Sequence, residues 1–171
     1  MDQFPLIYTE RLMLRQISTL DIDDLLQHVN NRKITDRILN FPHPYEEYHA
    51  VFRLSYVYQG FQGKTHYIFA IIYRSDESER FVGEISLHLR GTNQSAELGY
   101  WVAEPFWNLG IATEAIAATV SFGIEKLKLR SIYAECHKDN PASQTVLVKN
   151  HFEPNGQDHA VVKYIFQCRK E

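Results

Sequence analysis

Residues 96–115 read AELGYWVAEPFWNLGIATEA, and this stretch indicates the fold because it joins one strand to one long helix. Residues 96–103 carry apolar and aromatic side chains in the pattern of a strand. A helix is predicted over residues 110–127, with apolar residues toward a core and polar residues on its other side. A further strand follows over residues 131–136. Two strands joined by a full helical crossover are expected to lie parallel, with a right-handed connection.

Before this unit, the chain is predicted to form a strand over residues 11–16 and then two helices. Ser18 or Thr19 is expected to cap the first helix. Its predicted apolar face consists of Leu20, Leu25, Leu26 and Val29. Pro44 takes the preferred first position of the second helix, which is expected to end at Gly60.

The remaining segments complete a mixed sheet. An antiparallel meander is predicted from residues 66–73, 81–89 and 96–103, with a turn over residues 91–95. Asn140 and Pro141 begin a final helix that ends near Lys149, and residues 161–168 supply a last strand. The predicted fold class is α/β (α+β), with a mixed, mostly antiparallel central sheet of about six or seven strands flanked by about four helices. We expect one domain over residues 1–171.

Composition and charge exclude several classes of protein. Hydrophobic residues make up 44% of the chain and charged residues 23%, which are ordinary values for a globular domain. The net charge of -3, with Lys and Arg scattered, argues against nucleic-acid binding. No apolar run approaches the roughly 18 to 20 residues of a membrane span, so we expect no membrane association and a cytoplasmic location. Neither the two cysteines nor the eight histidines show a metal-binding spacing, so no metal is expected.

The segment between the central strand and the central helix is a candidate anion site. Its members are Trp107, Asn108, Leu109, Gly110, Ile111, Ala112 and Thr113. The first main-chain N–H groups of a helix have no partner inside the helix, and they bind anions such as phosphates. The small residues Gly110 and Ala112 leave room for that approach. A simple packing turn is the alternative, and the absence of GxxxxGK[ST] and GxGxxG patterns argues against an NTPase or a dinucleotide enzyme.

Three spaced motifs resemble the GNAT acetyltransferase superfamily. Gly110 and Ala112 match its coenzyme A loop, and Trp107 at the first loop position is similar to the branch of ribosomal-protein N-terminal (Rim-type) acetyltransferases. Further on, Asn140, Ser143, Lys149 and Phe152 match an Asn-x-x-Ser pattern followed by Lys-x-Gly-Phe. His151 stands where Gly is usual. The opening TERLMLR of residues 9–15 resembles the first strand of the same branch.

The resemblance implies an N-acetyltransferase with acetyl-CoA as its co-substrate. In that superfamily the two strands of the βαβ unit splay apart, and the pantetheine arm lies between them much as an added strand would. The main chain of Trp101 and Val102 would then hold pantetheine, and the loop of residues 107–113 would hold the pyrophosphate. Asn140 and Ser143 would face the pantetheine and its sulfur.

The resemblance and the strand pattern together suggest catalytic residues. Leu147 occupies the position of the superfamily's usual Tyr acid, so Ser143 is the substitute, as a proton donor or as a holder of water. Two-residue alternation predicts one strand face with Glu84, Ser86 and His88. The opposite face is predicted to hold Phe81, Ile85, Leu87 and Leu89. A simple hairpin would bring Glu97 opposite His88, which makes Glu97 our first candidate for the base and His88 its neighbour. An exposed strand carboxylate without catalytic role is the alternative for Glu97.

The acceptor is expected to be a primary amine, attacking directly in a ternary complex. The Rim-type resemblance and the missing Tyr favour an N-terminal α-amine of a peptide or protein, or a small-molecule amine. Aminoglycoside or polyamine acetylation is an alternative, and so is a non-catalytic module that senses acyl-CoA. The oligomeric state stays open, with a homodimer as one option.

Overall fold

The computed structural model describes residues 3–37, 41–91 and 94–168 of the chain. Residues 92 and 93 of the predicted 91–95 turn lie outside the described residues. The strands are β1 (Ile7–Tyr8), β2 (Leu12–Arg15), β3 (His66–Arg74), β4 (Glu79–Arg90), β5 (Ser95–Val102), β6 (Ser131–His137), β7 (Glu153–Gln157) and β8 (Val161–Gln167). The helices are α1 (Ile22–Val29), α2 (Arg32–Thr35), α3 (Glu47–Gln62), α4 (Ile111–Glu125) and α5 (Pro141–Lys149).

All eight strands form one sheet in the order β1-β2-β3-β4-β5-β6-β8-β7. The strands β5 and β6 are parallel, and every other neighbouring pair within the described ranges is antiparallel. The helix α4 forms the crossover between the two parallel strands. The predicted fold class and its central βαβ unit are therefore confirmed, with β7 at one edge and the two-residue β1 at the other in addition to the predicted strands.

The sheet separates two apolar cores. On one side α4 and α5 pack against the strands, and the buried residues there include Leu14, Ile85, Leu87, Leu98, Ile111, Ile116 and Leu147. On the other side α1, α2 and α3 pack, with Met13, Leu25, Val29, Ala50, Val57, Ile68 and Trp101. The helices of the second group cover β2 to β5, so the far half of that sheet face, along β6 and β8, carries polar residues such as Glu135 and Lys163.

One predicted strand face was partly wrong because β4 contains a bulge. Ile71 pairs with Gly83 and Ile72 pairs with Phe81, which leaves Val82 as the extra residue. A bulge of this kind inverts the alternation of side chains along the strand. Phe81 therefore lies in the same core as Trp101, whereas Ile85 and Leu87 lie in the other.

Two predicted helix starts also shifted. A short 3-10 turn over Thr19–Asp21 precedes α1, and Leu20 is 90% exposed rather than part of the apolar face. The turn forms because Asp21 accepts hydrogen bonds from Arg15 and from the main chain of Ser18. The helix α3 begins three residues after Pro44, because the main-chain N–H of the N-cap residue Glu46 donates to Nδ1 of His49 at 2.9 Å and fixes the start of the helix. The helix continues to Gln62, past the predicted end at Gly60.

The end of α5 follows the predicted bound. The helix stops at Lys149, and His151 adopts a φ of 63°. This left-handed conformation is the one that glycine adopts at many helix ends. His151 thus takes the backbone shape that the usual Gly would provide, and the N–H of Phe152 bonds to the carbonyl of Leu147 at 3.1 Å.

Candidate active site

The parallel pairing of β5 and β6 stops partway along both strands. Leu98 and Ala134 are the last paired residues, although β5 continues to Val102 and β6 to His137. Beyond that point the two strands diverge and leave a gap between their carboxyl ends. In open sheets with parallel strands, ligands bind at this end.

Main-chain groups of β5 line the gap on one side. The N–H of Ala103 donates to the carbonyl of Val82 at 2.8 Å, and the carbonyl oxygen of Trp101 lies against Gly83. Since neighbouring residues in a strand direct their polar groups to opposite edges, Val102 and Tyr100 face the gap. Of the two residues predicted to hold pantetheine, Val102 therefore presents its main chain to the gap, whereas the main chain of Trp101 faces β4.

Trp107 is positioned at the mouth of this gap. Its indole Nε1 donates to the carbonyl of Val102 at 2.6 Å. The bond ties the first residue of the predicted phosphate loop to the end of β5. Because the carbonyl of Val102 is bonded to Trp107, the main-chain N–H of Val102 is the group that can bind a ligand carbonyl.

The loop that follows presents exposed main chain at the start of α4. Asn108 and Gly110 have φ values of 62° and 78°, and residues 108–110 are exposed. The first bond inside the helix runs from the N–H of Glu114 to the carbonyl of Gly110 at 3.1 Å. By helix geometry, the N–H groups of Ile111, Ala112 and Thr113 have no acceptor within the helix. The loop therefore fits the pyrophosphate of a CoA ester, which needs several convergent N–H donors.

Arg11 braces this loop from the first hairpin. Its Nη1 donates to the carbonyl of Leu109 at 2.8 Å, and its Nε donates to Glu114 Oε2 at 2.8 Å. Glu114 also accepts hydrogen bonds from the hydroxyl of Thr9 and from the main-chain N–H of Arg11. In the sequence Arg11 stands out only as part of the TERLMLR motif, and no role was predicted for it. No sequence signal pairs the two residues, because Arg11 and Glu114 lie 103 positions apart.

Ser143 lies where the gap meets α5. Its main-chain N–H donates to Oδ1 of Asn140 at 3.3 Å, so Asn140 caps the helix. The Ser143 hydroxyl lies 2.6 Å from the phenolic oxygen of Tyr100. Burial raises the pKa of the Cys136 thiol, and a hydrogen bond with Ser143 partly offsets that effect. A hydroxyl, a phenol and a thiol therefore meet between β5, β6 and α5.

The hairpin register places His88 directly opposite Glu97. Glu97 is half-exposed and forms an ion pair with Arg90, whose guanidinium lies over the ring of Tyr133 at 5.6 Å. The ring of His88 lies 5.1 Å from that of His66. Burial, and then the neighbouring His66, lower the pKa of His88, so its imidazole is neutral near pH 7.

A buried ion pair between Glu84 and Arg53 lies on the same face of the sheet as His88, further along β4. Glu84 is 2% exposed and accepts from Arg53 Nη2 at 2.8 Å and from the indole of Trp101 at 3.1 Å. A pocket of about 280 Å³ opens beside Arg53, between α3 and the segment before it. Its lining consists of Phe41, Pro42, Tyr45, His49, Phe52, Arg53 and Tyr56. Of the predicted face with Glu84, Ser86 and His88, Glu84 is therefore linked through Arg53 to an aromatic cavity.

Two further features concern metals and membranes. Among the described residues no group of three or more His, Cys, Asp or Glu side chains could hold a metal ion. In the same part of the chain, every helix is too short or too polar to cross a bilayer.

Comparison with protein families identifies a match over most of the chain. A family model described as an acetyltransferase (GNAT) domain matches residues 11–153. An uncharacterized N-acetyltransferase, YoaA of Bacillus subtilis, is 29% identical over 165 residues, which cover 96% of this chain and 90% of YoaA. The ribosomal-protein-serine acetyltransferase of Escherichia coli is 32% identical over 83 residues, which cover 48% of this chain and 45% of that protein.

Solved structures show the same fold. RimL, a ribosomal-protein alpha-N acetyltransferase solved in complex with coenzyme A, superposes with a TM-score of 0.84 at 21% identity. The match covers 95% of this chain and 98% of RimL. A ribosomal-protein-serine acetyltransferase from Vibrio cholerae, assigned as putative, gives a TM-score of 0.80 at 20% identity, over 98% of this chain and 100% of that one.

Proposed function

Because this chain belongs to the GNAT acetyltransferase family, we propose that it transfers the acetyl group of acetyl-CoA to the α-amino group of a peptide or protein, or to a small-molecule amine. The chain is an acetyl-CoA-dependent acyltransferase. The identity of its acceptor is the part that we propose. The gap between β5 and β6 supports the site for acetyl-CoA, and the paired charge of Glu97 is the observation that carries the choice of acceptor.

In this scheme the loop and the gap hold acetyl-CoA at its two ends. The N–H groups of residues 108–113 bind the pyrophosphate, and each N–H bond to a charged acceptor contributes about 1.5 to 3 kcal/mol. The N–H of Val102 faces the gap and donates to a carbonyl of the bound thioester. If that carbonyl is the acetyl oxygen, the N–H stabilises the negative charge that develops during attack.

The reaction is direct attack by a neutral amine on the thioester carbon. The carbon–nitrogen bond forms, the carbon–sulfur bond breaks, and the electron pair of that bond leaves on the CoA sulfur. Glu97 accepts the proton that the amine loses, either directly or through water, with His88 beside it. Ser143 donates a hydrogen bond to the departing sulfur, and this bond replaces the acid that Leu147 cannot provide.

The surroundings of Glu97 favour an α-amine over lysine. Its charge is already paired with Arg90, and the neighbouring His88 is held neutral. An α-amino group has a pKa of about 7.7 to 8.0, against about 10.4 for lysine. The difference of roughly 2.5 units makes lysine about 3.4 kcal/mol harder to deprotonate. The names of the ribosomal-protein relatives support the same choice.

Polycationic acceptors such as aminoglycosides and polyamines are less well supported. They require several unpaired carboxylates, but Glu97 is paired with Arg90 and Glu135 lies 3.8 Å from Lys163.

The cytoplasmic location remains a prediction.

A comparison of acceptors tests the proposal. Initial rates of CoA release are measured with short peptides that have a free N-terminus and no lysine, and with N-terminally blocked peptides that contain one lysine. Spermine and an aminoglycoside complete the panel. Faster release with free N-termini supports the proposal, whereas faster acetylation of lysine or of the polycations overturns it. Binding of acetyl-CoA without release for any amine indicates a sensing module instead.

A further inference from the structure

The phenol of Tyr100 reaches from β5 across the gap to α5. It lies on β5, two residues beyond the last pairing with β6, and its phenolic oxygen reaches Ser143 on α5. The oxygen is 2.6 Å from Ser143 Oγ and 3.4 Å from the main-chain carbonyl of the same residue. The two residues are 43 positions apart in the chain.

The phenol stays protonated at neutral pH. Burial raises the pKa of Tyr100 to about 12, although its hydrogen bond with Ser143 acts in the opposite direction. An un-ionised phenol donates one hydrogen bond and accepts others. Ser143 also has a single proton, so its direction depends on which neighbour donates to its oxygen.

The packing around α5 shows why this contact matters. Leu147, one turn beyond Ser143, is fully buried in the core and offers no polar group. Cys136, the other neighbour of Ser143, has a thiol whose pKa burial raises, and a thiol is a weak donor. Among the described residues around Ser143, Tyr100 is therefore the strongest donor to its oxygen.

We propose that Tyr100 donates its hydrogen bond to Ser143 Oγ and thereby directs the Ser143 proton toward the CoA sulfur. This inference rests on the proposed function, because it concerns the same leaving group. Tyr100 is a positioning residue: it touches Ser143 and not the reacting atoms. No proton is transferred in this step. The electron pair of the broken carbon–sulfur bond stays on the CoA sulfur. The Ser143 hydroxyl stabilises this thiolate until it takes a proton from solvent.

The first test uses turnover. Tyr100→Phe is expected to lower kcat about tenfold, the effect of one hydrogen bond to a charged group, with the KM for acetyl-CoA changed by less than about twofold. Ser143→Ala should show a similar loss, and Tyr100→Phe should add little in the Ser143→Ala background. The control is Tyr58→Phe on α3, where the side chain is exposed, and its kcat should be unchanged. Additive losses, or a kcat of Tyr100→Phe equal to that of the unmodified chain, overturn the inference.

The second test does not require turnover and separates this inference from the choice of acceptor. The ionisation of the CoA thiol is followed by its ultraviolet thiolate absorbance in the complex, as a function of pH. The apparent pKa of the bound thiol is expected to lie below that of free CoA, and Tyr100→Phe should return it toward the free value by at least about half a unit, or threefold in thiolate stabilisation. A thiol pKa identical in the two proteins contradicts the inference even if no acceptor has been found. Melting temperatures of both variants are compared to exclude misfolding.

Discussion

Arg11 and Glu114 are 103 positions apart, yet their side chains form a two-point ion pair beside the loop of residues 107–113. Arg11 Nε and Nη2 lie 2.8 and 2.7 Å from Glu114 Oε2, and the third nitrogen of Arg11 bonds to the carbonyl of Leu109. These contacts of Arg11 join the first hairpin to the start of α4 at the point where the pyrophosphate is expected. The loop itself contains no Lys or Arg between residues 103 and 113, so the proposed binding of pyrophosphate depends on its main-chain N–H groups.

Removal of the Arg11 side chain should therefore weaken CoA binding more than turnover. Arg11→Ala is expected to raise the Kd and KM for acetyl-CoA about tenfold, since it removes charge-assisted hydrogen bonds that hold the loop. The kcat should fall by less than about threefold, because the reacting groups lie elsewhere. Calorimetry and initial rates give both quantities. Lys126→Ala, which removes one positive charge at the other end of α4, is the control and should leave both unchanged; an equal effect in the two variants would mean that net charge alone is responsible.

The contribution of Glu114 to stability should depend on pH. Burial raises the pKa of Glu114, but hydrogen bonds from Thr9 and from Arg11, together with the charge of Arg11, outweigh it and leave the pKa below its usual value. A carboxyl with a lowered pKa stabilises the folded protein above its unfolded pKa of about 4.3, and that stabilisation is lost as the pH falls through the folded value. Urea titrations should show Glu114→Gln less stable than the unmodified chain near pH 7, with the difference shrinking below about pH 4. A difference that stays constant over this range would assign the effect to packing.

Glu97 should matter most when the acceptor amine is protonated. Glu97→Gln is expected to lower kcat/KM about a hundredfold near pH 7. The loss should shrink to about tenfold or less near pH 9, because an α-amine with a pKa of about 7.7 to 8.0 has then lost its own proton. Glu135→Gln, on the neighbouring strand, serves as the matched control. If the two substitutions behave alike, or if the loss is the same at both pH values, Glu97 is not the base.

The bulge of β4 depends on a residue without a side chain. A Cβ at Gly83 would lie 2.1 Å from the carbonyl oxygen of Trp101, so Gly83→Ala must displace main chain in β5. Overpacking of this kind destabilises by roughly 1 to 3 kcal/mol, which chemical denaturation measures. Gly63→Ala at the end of α3 provides the comparison, because its helical φ of -78° suits alanine, and its stability should change by less than about 1 kcal/mol. Equal stability of Gly83→Ala and the unmodified chain would show that the bulge tolerates a side chain.

Much of the fold could be predicted because its elements follow local periodicities. The strands β3 to β6 and the helices α4 and α5 lie within a few residues of their predicted bounds. The strand β7 was missed because Glu153–Gln157 reads EPNGQ and has no apolar alternation. This strand forms through its main-chain pairing with β8 at the edge of the sheet.

The site was only partly predictable for a different reason. The loop at Gly110 and the register of Glu97 with His88 follow from neighbouring elements, so the sequence indicates them. The contacts of Arg11 with Glu114 and of Tyr100 with Ser143 join elements that are far apart in the chain. Only the packing of the sheet brings such pairs together, and no local pattern encodes it.

Titration calorimetry of acetyl-CoA into the purified chain measures whether the loop at the start of α4 holds the co-substrate, on which the whole proposed reaction depends. One molecule of acetyl-CoA per chain should bind, and Gly110→Val should bind more weakly, since valine at a φ of 78° is strained by roughly 1 to 2 kcal/mol. If the unmodified chain takes up neither acetyl-CoA nor CoA, the loop at Gly110 does not hold the co-substrate and the proposed function is wrong.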